Sequence, residues 1–313
     1  MTARKPRRPA SRASARPRPI DAGLLRGWPL PRPDTARGKE GRGSLLVIGG
    51  CAQVPGAVVL SGVAALRVGL GRLQIATAAA VAPAIGVSLP EARVSGLRQH
   101  RNGEIHANGC RVLRADLQGK DAVLIGPGMG PEGRGAARSL LRQWILSGMG
   151  CPVVLDAGGL AALHGGPARP RAASPCLVLT PHAGEMAQLW DTDPAEVRSR
   201  PLELAREAAA KLGAIVVLKG ETTFVATPDG EAFVNEAGSA GLGTSGSGDV
   251  LSGIVAGLCA RGAAPAQAAV WAVFLHAKAG ERLARRIAPL GFLARELLDE
   301  LPALMQRLAP FSE

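Results

Sequence analysis

Five short apolar runs, each closed by glycines or a polar cluster, constrain this chain more than any other feature. They are SLLVIGG (44–50), DAVLIGPGMG (121–130), PVVLDAGG (152–159), CLVLTPHAGE (176–185) and AIVVLKG (214–220). A continuous apolar run of this length is a strand buried on both faces, which is the habit of a parallel sheet. Between the runs lie longer segments with helical spacing, and strand–helix alternation predicts an α/β fold of three layers: a mainly parallel central sheet with helices on both faces. Ligands of such sheets sit beyond the carboxyl ends of the strands. The unusual loops fall there: Gly49-Gly50, Gly126 to Gly130, Asp156 to Gly159, Thr180 to Glu185, and Lys219-Gly220. Five such ends point to one shared site better than any single motif does.

The segments between are read in order. PGAVVLSGVAALRVGLG (55–71) predicts a helix with Pro55 in its first turn and small residues along one face. LQIATA (73–78) is a further strand. Residues 79–118 carry weaker patterns, with a hairpin expected around Asn102-Gly103. A helix is expected to about Ser147, another after the glycine turn at 156–159, and one over 194–212. Residues 222–238 predict a hairpin turning at Asp229-Gly230, and helices follow near 264–286 and 293–308.

Charge is concentrated at one end. Residues 1–20 hold seven Arg and Lys and no acid, more than half of the net charge of +12. Residues 1–27 are therefore expected to form a basic, Pro- and Arg-rich, disordered tail, with one domain over 28–313. The tail is read as solvated rather than as a nucleic-acid arm. It lacks the amphipathic face of an organellar leader and the apolar core of a secretory one. No apolar run is long enough to span a membrane. The five cysteines are odd in number and widely separated, which predicts reduced thiols and a cytoplasmic protein. No His or Cys spacing matches a metal site.

GLGTSGSGDVLSGIVAGLCARG (241–262) combines a flexible loop, one acid and a buried helix. Gly246, Ser247 and Gly248 can present successive N–H groups at the helix start, where partial positive charge holds phosphate. Asp249 stands in the same turn, where it could take a proton from a substrate hydroxyl. The helix start is expected to keep that carboxylate ionised. Alone, the loop is equally an ordinary turn with Asp249 as its cap.

Together the motifs carry a resemblance. LLVIGG (45–50), the helix at 55–71, IGPGMG (125–130), VVLDAGGL (153–160), LTPHAGE (179–185), VLKGETT (217–223) and GTSGSGDVLSG (243–253) make the chain similar to the ADP/ATP-dependent NAD(P)H-hydrate dehydratases of the ribokinase-like superfamily. The similarity runs over roughly residues 28–308. It implies repair of hydrated NADH or NADPH, with ADP or ATP as co-substrate and Mg²⁺ carried by the nucleotide phosphates rather than by a protein cage. It also implies a homo-oligomer, with a tetramer among the states expected, and a dehydratase standing without the fused epimerase domain that many members carry, hence partnership with a separate NAD(P)H-hydrate epimerase.

Residue by residue, the resemblance makes Asp249 the catalytic base and Gly246, Ser247 and Gly248 the anion hole. It places Lys219, Gly220, Glu221, Thr222, Thr223 and Gly248 on the nucleotide, and Ala57, Gly128, Gly130, His182 and Asp249 on the hydrate. Asp156 is expected near the site or as a helix cap. Glu185 can cap its own turn or act through water on a metal, and both stay open. The chain departs from the family pattern at three places. Ser245 replaces a glycine and predicts a tighter phosphate turn. Glu236-Ala237 within NEAG puts cation binding near Asn235 in doubt, and Cys51-Ala52-Gln53 replaces a glycine and aromatic region. The rival reading is a small-alcohol kinase of the hydroxymethylpyrimidine or hydroxyethylthiazole type, which shares the GSGD logic. A non-catalytic, tail-driven nucleic-acid protein is disfavoured by the intact loop and acid.

Overall fold

The computed structural model describes residues 16–146, 150–164 and 177–308. Its ten strands form one sheet: β1 (Arg18–Pro19), β2 (Ser44–Ile48), β3 (Arg72–Ala78), β4 (Ala92–Leu97), β5 (Ala122–Ile125), β6 (Val153–Leu155), β7 (Leu177–Leu179), β8 (Ile215–Leu218), β9 (Thr223–Ala226) and β10 (Ala232–Asn235). Their spatial order is β1-β10-β9-β8-β7-β6-β5-β2-β3-β4. β4 through β8 are parallel neighbours, whereas β9 runs antiparallel to both β8 and β10. The order reverses between β2 and β5, so the crevice past Ile48 and Ile125 is the switch point at which such sheets bind ligands.

Strand alternation sorts the core into two layers. In β2, Leu45 and Val47 face one side and Leu46 and Ile48 the other. The first side is covered by α2 (Gly56–Arg67), α3 (Ala82–Ser88), α9 (Ser247–Ala260), α10 (Pro265–Arg286) and α11 (Ala294–Leu308). The second is covered by α4 (Arg114–Leu117), α5 (Arg134–Leu146), α6 (Ala183–Trp190), α7 (Pro194–Ser199) and α8 (Pro201–Leu212). α9 packs on α2 through small residues: a side chain at Gly253 would stand 2.3 Å from the Ser61 carbonyl oxygen. That approach sets the two helix starts beside each other at the sheet's carboxyl edge.

Four expectations need correction. The N-terminal boundary at 27 is too late. Arg18–Pro19 adds a strand beside β10, Ile20 and Leu25 are buried, and α1 (Ala22–Arg26) is capped by Asp21. Residues 16–27 thus belong to the domain, held by apolar burial that a basic composition conceals; residues 1–15, where the rest of the expected tail falls, lie outside the described residues. The chain then crosses the domain, with the Trp28 carbonyl accepting from Trp271 Nε1 at 2.8 Å. The hairpin at Asn102-Gly103 closes only one bridge, Gln99 to Ile105, because its next residue, Glu104, turns inward. The helix of 194–212 is two helices, since Pro201 forces Arg200 out of helical geometry (φ −140°, ψ 56°). The helix after Asp156 is a 3₁₀ turn over Ala157–Leu163. The expected helix end at Ser147 and the expected strand start at Cys176 fall on residues outside those described.

Candidate active site

α9 begins where the sequence places it, on a glycine that must be one. Gly246 has φ +88°, a left-handed conformation, and a side chain there would meet Leu60 at 2.6 Å. The turn sets the start of α9 against a cavity of about 780 Å³. Its lining includes Ser247, Gly248, Lys219, Gly220, His182 and His276. Glu221 and Thr223 also line it, while Thr222 of the same loop does not.

Three strand ends meet at Lys219. Its ammonium lies 3.0 Å from Asp156 Oδ1 and 3.6 Å from Glu185 Oε2. A side chain on Gly248 would stand 3.2 Å from Lys219 Nζ, so the ammonium rests against the start of α9. Burial works against its charge, but the carboxylates of Asp156 and Glu185 outweigh burial and raise its pKa above that of an ordinary lysine. Lys219 is no surface residue after a strand. Asp156 is 2% exposed, and its carboxylate accepts from Lys219 and from the Thr180 hydroxyl at 2.7 Å instead of capping the turn that follows it. Glu185 caps: its Oε2 accepts from the His182 amide at 2.7 Å while His182 Nδ1 accepts from Gly184 and Glu185 amides, a reciprocal capping box. With Nδ1 accepting, the His182 ring carries a proton on Nε2.

The expectation that Asp249 is held ionised is overturned. Burial pushes its pKa from an ordinary 3.8 to about 7, the nearby carboxylates of Asp156 and Glu185 push in the same direction, and Lys219 only partly opposes them. Lys219 is engaged by Asp156, so its charge is largely used there. Desolvation and like charge outweigh the helix start, which makes Asp249 a stronger base than a free aspartate.

The expected hydrate residues divide. His182 lies in the cavity with the nucleotide set. Ala57, Gly128 and Gly130 gather at the starts of α2 and of the loop after β5, where a side chain at Gly128 would stand 2.9 Å from Ala57 Cβ. They join the acid through Ser61, whose hydroxyl lies 3.0 Å from the carbonyl oxygens of both Ala57 and Asp249. The sequence missed two supports. Glu104, 7% exposed, accepts from the Gly130 amide at 2.9 Å through Oε1. His276 contacts Ser247 from α10. Neither sits in a motif; a lone histidine in an apolar helical run was the only signal for His276, and Glu104 had none.

Asn235 also lines the cavity, with Nδ2 donating to the Ala237 carbonyl at 2.8 Å and Oδ1 buried without a protein partner. Among the described residues no three His, Cys, Asp or Glu side chains converge on a metal position. The cavity fits a phosphate-bearing ligand through its helix start and Lys219, and a magnesium ion would be held by that ligand's phosphates. A second hollow, of about 670 Å³, lies at the N-terminal arm around Arg18, Trp28 and Phe233 and shares no residue with the first. Among the described residues, no helix is long and apolar enough to cross a membrane.

A reversed-order parallel sheet with a glycine-started helix, a half-buried lysine and a basic aspartate at its carboxyl edge defines a ribokinase-like α/β protein. A family model described as NAD(P)H-hydrate dehydratase matches residues 45–303, and the chain belongs to that family. It is 48% identical to an ADP-dependent (S)-NAD(P)H-hydrate dehydratase of Xanthomonas campestris pv. campestris, over 94% of this chain and 98% of that one. It is 35% identical to a bifunctional NAD(P)H-hydrate repair enzyme of Moorella thermoacetica over 89% of this chain, and spans about half, 52%, of that longer protein. The crystal structure of an ADP/ATP-dependent NAD(P)H-hydrate dehydratase from Bacillus subtilis, co-crystallized with ATP and Mg²⁺, superposes with a TM-score of 0.79 at 33% identity, covering 93% of this chain and 98% of that one.

Proposed function

We propose that this protein dehydrates the S epimer of hydrated NADH or NADPH, driven by ADP or ATP, and releases reduced nucleotide, AMP or ADP, and phosphate. The observation that carries the reading is a base with a pKa of about 7 in the first turn of α9, directly after Ser247 and Gly248, which line the cavity. Asp249 takes the proton of the ring hydroxyl as its oxygen attacks the terminal phosphorus of the nucleotide. The bond from that phosphorus to the bridging oxygen breaks, and the shortened nucleotide leaves. N–H groups of Gly246, Ser247 and Gly248 offset the charge that develops on the transferred group. Electrons from the ring nitrogen then expel phosphate from carbon, and loss of a proton from the adjacent ring carbon completes the dehydration.

In this reading Lys219, with Gly220, Glu221, Thr222 and Thr223, serves the nucleotide, and its charge also steadies the phosphate approaching α9. Ala57, Gly128, Gly130 and His182 border the hydrate, with Glu104 fixing the Gly130 loop. Magnesium supplies charge neutralisation on the nucleotide phosphates when bound. The test incubates the protein with hydrated NADH and either ADP or ATP while following the near-ultraviolet band of reduced nicotinamide. Recovery of the band with equal release of phosphate is expected. No recovery, alongside ATP-dependent phosphorylation of hydroxymethylpyrimidine or hydroxyethylthiazole, would establish the kinase instead.

The reading extends to partners. An S-specific enzyme consumes one epimer, so a separate NAD(P)H-hydrate epimerase is its functional partner. A homo-oligomer, up to a tetramer, is supported by Ile287, Leu290 and Leu293, which stand 45%, 66% and 48% exposed around the loop before α11. A cytoplasmic setting would supply ADP and reduced nicotinamide together. Light scattering tests the assembly, and a monomer at working concentration would remove that part.

A further inference from the structure

The mechanism above uses the amide of Ser247 and leaves its hydroxyl without a task. The structure supplies that hydroxyl with a partner from another helix. His276, on α10, places Nε2 2.9 Å from Ser247 Oγ and 3.1 Å from the Ser247 carbonyl oxygen. Both residues line the cavity beside Gly248 and Lys219. A serine hydroxyl at hydrogen-bond distance from a histidine invites comparison with a nucleophile and its base.

The second contact argues otherwise. A carbonyl oxygen can only accept, and a bare ring nitrogen 3.1 Å away would set two lone pairs against each other. The proton therefore sits on Nε2, which donates to the Ser247 carbonyl and hydroxyl oxygens. Burial pushes the ring's pKa down to about 4, opposed by the bond to Ser247 and aided by the charge of Lys219, so the ring is neutral and carries that one proton. With Nε2–H occupying one side of Oγ, the serine cannot give its own hydrogen to the imidazole. Its O–H is left to rotate toward the remaining direction, the cavity. We propose that His276 is a positioning residue that turns the Ser247 hydroxyl into a hydrogen-bond donor to the phosphoryl oxygens held at the start of α9. The two-helix contact thus adds a side-chain donor to the backbone donors of the cradle, and Ser247 is neither nucleophile nor proton relay. The inference rests on the reading of the cavity as a nucleotide site.

Its test is a double-mutant cycle of Ser247→Ala and His276→Phe, with His276→Gln as the conservative variant. Each of the first two should lower kcat about 10- to 100-fold, less than the loss of a full oxyanion donor, with KM for the hydrate changed less than about threefold. The double variant should be no worse than the single ones, because both remove the same interaction. The Gln variant, whose amide can still donate, should recover most of the activity. ADP affinity, measured by calorimetry without hydrate, should fall by the same factor in Ser247→Ala and His276→Phe.

Losses that multiply in the double variant, or unequal changes in ADP affinity, overturn the proposal. So does a Ser247→Ala protein that keeps turnover and ADP affinity, and this arm decides the matter even if His276→Phe does not fold. If the wild type binds ADP but leaves the hydrate unchanged, the dehydratase reading fails while the ADP arm still tests His276. A wild type that binds no ADP overturns both.

Discussion

Replacing Asp249 by Asn should abolish most activity and stabilise the protein, and the two effects have one cause. The folded state holds the Asp249 proton more tightly than the unfolded chain does, with a pKa of about 7 against 3.8. Stability from this group is therefore complete below the lower value, declines as pH rises, and levels off above the upper one. At about 1.36 kcal/mol per pH unit the full gap corresponds to about 4 kcal/mol. Asp249 is only partly buried, so solvent screening reduces this to a gain of about 1–2 kcal/mol for the Asn variant above neutral pH, vanishing in acid. Asn cannot accept the proton, and turnover should fall by about 10²–10⁴, the range for a positioned general base. The assay is kcat and Tm of both proteins across the pH range. Near-normal turnover would refute the role of the acid. An Asn variant less stable than the parent above neutral pH would refute the account of its raised pKa, because the helix start would then be stabilising the charge after all.

Three further outcomes are expected. The kcat/KM of the wild type should rise with pH through an apparent pKa near 7, since the ionised form is the base, and Lys219→Met should move that limb to higher pH because it removes the cation that opposes the shift; a limb that stays in place in kcat/KM counts against it. Ala57→Leu should weaken hydrate binding and leave ADP affinity nearly unchanged, because Ala57 is 4% exposed beside Gly128 and away from the cavity at Lys219; calorimetry showing the reverse would invert the orientation of the site. Deleting residues 1–15 should leave Tm and turnover nearly unchanged, while deleting 1–27 should lower stability by about 3–5 kcal/mol through exposure of the pockets for Ile20 and Leu25, a contrast that denaturant unfolding measures directly.

The architecture was legible because its signals are local. A run such as Val-Val-Leu closed by Asp156 and two glycines is a strand end wherever it occurs, and a glycine turn before small apolar residues starts a helix at Ser247 without help from the rest of the chain. Local signals also mislead when burial depends on a distant partner. Arg18 and Pro19 read as tail until β10 arrives to pair with them, and the Asn102-Gly103 hairpin stops at one bridge because Glu104 has Gly130 to hold.

At the site, the sequence by itself decided which groups are present: the acid, the lysine, the glycine turn and the capping histidine. Tertiary structure decided what those groups do. Lys219 meets Asp156 across 63 residues of chain and His276 meets Ser247 across 29, and no periodicity reports such encounters. The protonation of Asp249 depends on how many carboxylates share one cation and how much water reaches them. Electrostatic energy in a low-dielectric interior is set by distances through space, and only the closed fold defines those distances.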